Sequence, residues 1–208
     1  MSASYQWPEL TPGKLLRRYK RFLADVLLPN GQTVTAHCPN SGSMKGCCQP
    51  GQPVYLSMSE NPKRKLKYTW ELIEMPGSLV GVNTLVPNRL AYAAAQNRLL
   101  SQLAGYDTVR KEVRAGEHTR FDLMLSRSGA SEICYLEVKN CTLVDKGVAR
   151  FPDAVTQRGR NHLIELQRQV CSGSRAVMFY LIQRMDATSF APADEIDPAY
   201  GSELRRAV

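Results

Sequence analysis

The sequence predicts an α+β chain in two parts: a small five-stranded β-barrel over residues 1–84, then an α/β domain over residues 85–208. Three observations lead there. Short strand-length runs separated by turn signals fill the first part. Helix-period runs alternate with strands in the second. Positive charge is denser in the first part: residues 1–84 carry 10 basic and 5 acidic side chains, while residues 85–208 carry 17 and 14.

Lys14–Leu28 reads as one long opening strand that ends at Pro29-Asn30-Gly31. Asn-Gly is the strongest short hairpin signal, and Gln32–His37 returns from it. Cys38–Pro53 is rich in Pro, Gly, Ser and Asn and reads as a loop. Val54–Ser59, Tyr68–Met75 and Ser78–Asn83 supply the other strands. Five strands in so short a span suggest closure into a barrel of the oligonucleotide-binding type. A helix over Arg89–Ala104 follows, with Asn88 as its N-cap and Gly105 as its stop. Strands are expected at Thr108–Arg114, Thr119–Ser126 and Ile133–Leu143. A second helix covers Ala154–Val170, capped by Asp153, with Val155, Gly159, Leu166 and Val170 packed inward. Arg175–Gln183 is a further strand and Asp194–Ala207 a last helix.

Composition excludes several classes. Apolar residues make up 43% and charged residues 22%, the balance of a globular chain. No run approaches the roughly 18–20 apolar residues of a membrane span, and Met1–Pro8 lacks the basic start and apolar block of a secretory leader. Six cysteines without a CxxC pair read as reduced thiols of a cytoplasmic protein. A metal site at Cys38 and Cys47, with His37 beside them, is the minor alternative. The net charge of +8 suits a polyanionic partner, here DNA, and no membrane partner is expected. Oligomeric state is not encoded in any motif.

The chemistry concentrates in Arg120-Phe-Asp-Leu-Met-Leu-Ser and Ile133-Cys-Tyr-Leu-Glu-Val-Lys-Asn. Alternate strand residues share a face, so Glu137 and Lys139 point the same way. Phe121, Leu123 and Leu125 share one face of the earlier strand, and Asp122 projects from the other. Antiparallel pairing would bring Asp122 beside Glu137. Two carboxylates 4 Å apart repel by about 1 kcal/mol in water and about 4 kcal/mol at an effective dielectric of 20. A divalent cation reverses that sign, and hard oxygen ligands suit Mg²⁺ or Mn²⁺. Lys139 would then stabilise phosphate charge or orient a water.

Asp122 followed by Glu137-Val138-Lys139 resembles the D…(D/E)xK signature of restriction-endonuclease-like, PD-(D/E)xK nucleases. The wider text is closer to one family. RYKRFLADV, HCPNSGSMKG, YTWELIE, VNTLVPNRL, EVKN, FPDAVTQRGRNHL and FAPADEIDPAY together resemble the sugar fermentation stimulation proteins. The resemblance implies an oligonucleotide-binding-type barrel joined to a nuclease-like domain. It also implies DNA binding, a link to regulation of sugar (maltose) metabolism, and one more strand beyond Val208. It implies a Mg²⁺ or Mn²⁺ site of Asp122 and Glu137, with the Val138 carbonyl as a further ligand. Many nucleases of the class carry an acid on the first core helix. Arg89–Ala104 has none, so Asn97 is a candidate to face the site and Glu112 a candidate third acid.

The remaining candidates are cationic. Arg17, Arg18, Lys20 and Arg21 flank Tyr19 and Phe22, a mixture suited to backbone contact and base stacking. Lys63, Arg64, Lys65 and Lys67 form a basic loop, and Lys45 sits among small residues that permit close backbone approach. Arg158 and His162, four apart on the second helix, are placed to reach a phosphate. Two rivals to a nuclease remain at this level: a non-catalytic DNA-binding regulator, and a barrel that takes an anionic small molecule through Arg17–Arg21 and Lys45.

Overall fold

The computed structural model describes residues 5–115 and 119–208, so the leaderless start read at Met1–Pro8 falls partly outside them. Lys14–Leu28 is two strands rather than one: β1 (Leu10–Tyr19) and β2 (Leu23–Leu27). Lys20 and Arg21 turn the chain between them, at φ 48° and 63°. That left-handed turn contains no Gly or Asn, so no composition signal marks it. β3 (Thr33–His37), β4 (Pro53–Met58) and β5 (Tyr68–Met75) follow. Antiparallel pairing runs β3-β2-β1-β4-β5, and a short parallel pairing of Ala36 and His37 with Tyr68 and Thr69 closes the ring. The ring has the expected five strands with different membership. The opening run supplies two, and β6 (Ser78–Gly81) hangs from β5 outside it.

The barrel interior is apolar. Leu15, Ala24, Val26, Ala36, Val54, Leu56 and Trp70 are fully buried, and the Trp70 indole nitrogen donates to the Leu72 carbonyl at 2.9 Å.

The second part begins with α1 (Val86–Gln96), then β7 (Thr108–Ala115), β8 (Thr119–Ser126) and β9 (Ile133–Cys141). A hairpin of β10 (Leu143–Asp145) and β11 (Val148–Phe151) precedes α2 (Gln157–Cys171). β12 (Arg175–Ile182), β13 (Ser189–Pro192) and α3 (Pro198–Ala207) complete the fold. The main sheet has the order β12-β9-β8-β7, and the unexpected small sheet the order β10-β11-β13. β9 and β12 are parallel, which requires a crossover; α2 lies on it.

α1 covers one face of the main sheet through Ala91 and Ala95, which pack with Leu123, Leu125, Leu136 and Val138. α2 covers the other, where Leu166 packs with Phe121 and Tyr135. Phe121 therefore faces away from Leu123 and Leu125, and the expected alternation breaks at Asp122. α2 starts later than expected, at the N-cap Thr156, whose hydroxyl accepts from the Gly159 amide at 3.0 Å. Its buried face is Gly159, His162, Leu163 and Leu166. Val155 and Val170, expected inside, are 76% and 54% exposed. Among the described residues no helix is long and apolar enough to cross a membrane.

Barrel and α/β domain are joined by hydrogen bonds at the edge of β6. The Gly81 amide donates to the Gln183 carbonyl at 3.0 Å, and the Met185 amide to the Ser78 hydroxyl at 2.9 Å. A Cβ at Gly81 would overlap the end of the Gln183 side chain, which would have to swing aside.

Trp70→Ala should lower the unfolding free energy by about 3–5 kcal/mol, the usual loss for a fully buried aromatic. Urea denaturation followed by circular dichroism measures it; a loss below 1 kcal/mol would mean that the barrel core is not the stabilising element described.

Candidate active site

The site begins where a strand pair stops. β8 and β9 pair from Ser126–Ile133 to Leu123–Leu136 and then part. Asp122 and Glu137 are the next positions. Asp122 accepts the Val138 amide on one carboxylate oxygen at 2.7 Å and the Asn88 side-chain amide on the other at 2.7 Å. A side-chain carboxylate thus serves the β9 backbone where the ladder ends. The splayed strands open into a cavity of about 400 Å³, floored by Asp122, Glu137 and Lys139.

Glu137 points toward α2 and is buried, at 3% exposure. The Lys139 ammonium donates to its Oε1 at 2.5 Å. His162, on α2, makes a short contact from Nδ1 to the same oxygen. With Glu137 ionised, that contact requires the proton on Nδ1. The Lys139 nitrogen lies 3.2 Å from the same ring atom. The second carboxylate oxygen of Glu137 is buried and has no hydrogen-bond partner among the described residues.

Electrostatics divide the two acids. Burial raises the Asp122 carboxyl above its ordinary pKa, and the neighbouring Glu137 charge adds to the rise; the Val138 and Asn88 donors offset only part of it. Burial alone would raise Glu137 too. The His162 hydrogen bond and the Lys139 charge outweigh it and hold Glu137 below the usual carboxylate range.

The barrel completes the cavity. Asn40, Ser41 and Gly42, from the loop after β3, line it. Asp153 ties that loop down: its carboxylate accepts the Met44 amide at 2.8 Å and its carbonyl the Ser43 hydroxyl at 2.6 Å. This overturns the reading of Asp153 as a helix cap. Arg18 holds the loop from the barrel side, donating to the Asn40 and Gly42 carbonyls at 2.8 and 2.9 Å.

The other candidates divide clearly. Glu112 is not at the site: it occupies an unpaired position of β7 at φ 53°, is exposed, and lies 3.8 Å from Arg120. Asn97 is exposed and donates to its own helix at Ala93; Asn88, one residue earlier than the expected helix start, is the amide that meets Asp122. Arg18 is committed to the loop rather than free for phosphate. His162 and Arg158 both line the cavity, but His162 is buried with its Nδ1 taken up by Glu137, which corrects its assignment as a free phosphate ligand, whereas Arg158 is exposed. Arg17 pairs with Asp25 at 2.8 Å. Lys20, Arg21, Lys45, Lys63, Lys65 and Lys67 are exposed, and Arg64 donates to the Thr69 hydroxyl at 2.7 Å.

Cys38 and Cys47 are buried free thiols, and burial pushes Cys47 up to about 11. Among the described residues no three His, Cys, Asp or Glu side chains cluster with metal-holding geometry. A cation in the cavity would meet the carboxylates of Asp122 and Glu137 first, with other lining groups, water or substrate to complete its shell. The unpartnered Glu137 oxygen and the unfavourable second carboxylate fit a hard divalent ion.

A five-stranded barrel docked on an α/β core whose diverging strands present Asp122, Glu137 and Lys139 defines a restriction-endonuclease-like protein with an oligonucleotide-binding-type barrel. Comparison narrows the class. Residues 85–208 match the sugar fermentation stimulation protein RE domain, and residues 16–82 the SfsA N-terminal OB domain. The chain belongs to the sugar fermentation stimulation protein family. It is 56% identical over 199 residues to the Geobacter sulfurreducens sugar fermentation stimulation protein homolog, covering 96% of this chain and 84% of the relative. It is 50% identical over 209 residues to the Gloeobacter violaceus homolog, covering 100% and 88%. The solved structure of Pyrococcus furiosus SfsA in complex with Ca²⁺ shares the fold, with a TM-score of 0.88 at 24% identity over 98% of this chain and 85% of that one.

Two substitutions should move the Asp122 titration in opposite directions. Asn88→Ala removes a donor to the charged form, so its pKa rises; Glu137→Gln removes a neighbouring negative charge, so its pKa falls. Carboxyl carbon shifts followed by NMR against pH measure both. Shifts of the same sign would contradict the arrangement.

Proposed function

We propose that this protein binds DNA and hydrolyses its phosphodiester bonds at a divalent-cation site formed by Asp122 and Glu137. One observation carries the reading: two carboxylates are withdrawn from water side by side, one with an unpartnered oxygen, within reach of a lysine. Uncompensated, that arrangement is unfavourable. The Ca²⁺ named with the Pyrococcus furiosus relative supports a cation in this fold.

Asp122 and Glu137 would hold Mg²⁺ or Mn²⁺, with the Val138 carbonyl as a further ligand. When bound, such an ion supplies Lewis acidity toward the scissile phosphate. Asn88 and the Val138 amide hold the Asp122 carboxylate in place, and His162 does the same for Glu137. Lys139 offers its ammonium to charge that develops on the phosphate, or to an attacking water. Arg158 at the cavity edge offers a guanidinium to an adjacent phosphate. The exposed cations of the barrel add sequence-independent affinity.

A second reading has its own support. The first core helix brings the neutral Asn88, not a carboxylate, to Asp122. A family member that keeps the fold and the cation but regulates sugar metabolism genes by binding DNA would tolerate that. The anionic-small-molecule alternative is weakened because Arg17 and Arg18 are engaged within the barrel.

Calorimetry should record Mn²⁺ binding to the wild-type protein and none to Asp122→Asn; equal binding would remove the site. Lys139→Ala separates the two readings. It should leave DNA retention in Ca²⁺ within a few-fold while lowering cleavage in Mg²⁺ or Mn²⁺ by about 10²–10³. A wild-type protein that retains DNA but cleaves none with any of these ions is the regulator.

Raising salt should weaken DNA binding, with a log–log slope of about −0.9 per neutralised duplex phosphate. Substituting Lys63, Lys65 and Lys67 by Ala should flatten it, and an unchanged slope would move the contact elsewhere.

A further inference from the structure

A second depression lies beside the catalytic cavity, on the barrel. It encloses about 570 Å³ between the N-terminal segment and the faces of β3, β4 and β5. Trp7, His37, Arg64 and Arg89 line it. This is a different composition from the acid-floored cavity next door: flat rings and guanidinium groups, with one carboxylate, Glu71, buried in the floor.

Its walls are held. The Tyr5 ring stands edge-on to Trp7, at 4.8 Å and 83°, and packs against one edge of the indole. Below, the buried Glu71 carboxylate accepts from the Ser57 hydroxyl at 2.6 Å and from the Asn83 amide at 2.8 Å, so the floor is internally satisfied. Arg64 is braced on Thr69. Burial and the nearby Arg64 lower the pKa of His37, so this ring presents itself uncharged at neutral pH. Trp7 is 38% exposed, whereas Trp70 is fully buried in the barrel. An indole left half open beside two guanidinium groups is an unusual surface for a structural residue and a suitable one for a planar ligand that carries negative charge.

The position is as informative as the composition. Pro39 lines this groove and Asn40 the catalytic cavity; Asn83 lines the groove and Thr84 the cavity; Arg89 lines the groove and Asn88 the cavity. The Thr84 hydroxyl donates to the Pro39 carbonyl at 2.8 Å and closes the partition. The two depressions therefore share a wall built from the same three short backbone stretches.

We infer that this groove is a nucleobase subsite, in which Trp7 stacks an unpaired base while Arg64 and Arg89 hold its phosphates, so that the substrate is a single strand. The inference rests on the nucleic-acid reading above and names its substrate class. Stacking on an aromatic face is indifferent to base identity and needs the base out of a duplex. Guanidinium groups suit phosphate oxygens by their forked geometry. A strand anchored here passes its next phosphate over the partition toward Asp122 and Glu137.

The test uses the full chain without divalent cations, so that nothing is cleaved. Short oligothymidylate and oligouridylate are titrated while tryptophan emission is followed, and a blunt DNA duplex is titrated in parallel. The single strands should quench the exposed Trp7 and leave the buried Trp70 unchanged. A response to either sugar supports the subsite and says which strand it prefers. Trp7→Ala should abolish the quench and weaken single-strand binding about tenfold, measured by anisotropy of a labelled oligonucleotide. Trp7→Phe should lose the signal but keep most of the affinity, and Arg64→Ala should weaken binding with Trp7 intact. If Trp7→Ala and Arg64→Ala bind the single strand as tightly as wild type, or if duplex quenches Trp7 equally, the subsite is wrong and the nuclease reading is untouched. If the wild-type protein retains neither single strand nor duplex, both fall.

Discussion

Two carboxylates removed from water at the open end of one strand pair set the terms for everything around them. Each would rather be protonated or hydrated in that setting. The surrounding donors are the fold's answer. Asp122 is held by a helix side chain and a backbone amide, both neutral, and its pKa stays raised. Glu137 is held by a lysine and a histidine, and its pKa is lowered. The acids thus differ in ease of ionisation although they are near neighbours of the same chemical type. α1 supplies the donor for one and α2 the donor for the other, which is why both helices must pack on opposite faces of the same sheet.

Much of this was legible in the residues themselves. Period-two spacing places Glu137 and Lys139 on one face, and a hairpin-like order brings Asp122 near them. What alternation could not reveal is the end of the ladder at Leu123. Past that point Phe121 belongs to the α2 side, and Asp122 turns its oxygens to Asn88 and to the backbone. Such a break depends on tertiary hydrogen bonds and has no local signature. The Lys20–Arg21 turn was hidden for a related reason: two charged residues adopt positive φ without the glycine or asparagine that usually announces it.

Asp153 and Asn88 show the limits of capping rules. Both sit beside a proline, where an N-cap is the economical reading. In the folded chain Asp153 is drawn to the barrel loop and Asn88 to Asp122, and the helices begin elsewhere. A short polar side chain at a helix start has several partners within reach, and the strongest of them need not be on the same helix. Glu112 failed differently. Its exposure and its arginine neighbour are settled by the unpaired position in β7, which alternation treats as an ordinary strand residue.

The loop that walls the acid-floored cavity belongs by chain order to the barrel, yet it is fastened to the other domain through Asp153. The Gly81–Gln183 contact fastens a second point. The boundary between the domains therefore runs through the middle of the candidate site rather than around it. Modules of this kind cannot be exchanged freely: a foreign barrel grafted onto this α/β core would arrive without a matching loop, and the core alone would present its acids through a gap. A change in the barrel loop should therefore call for a matching change around Asp153, just after β11.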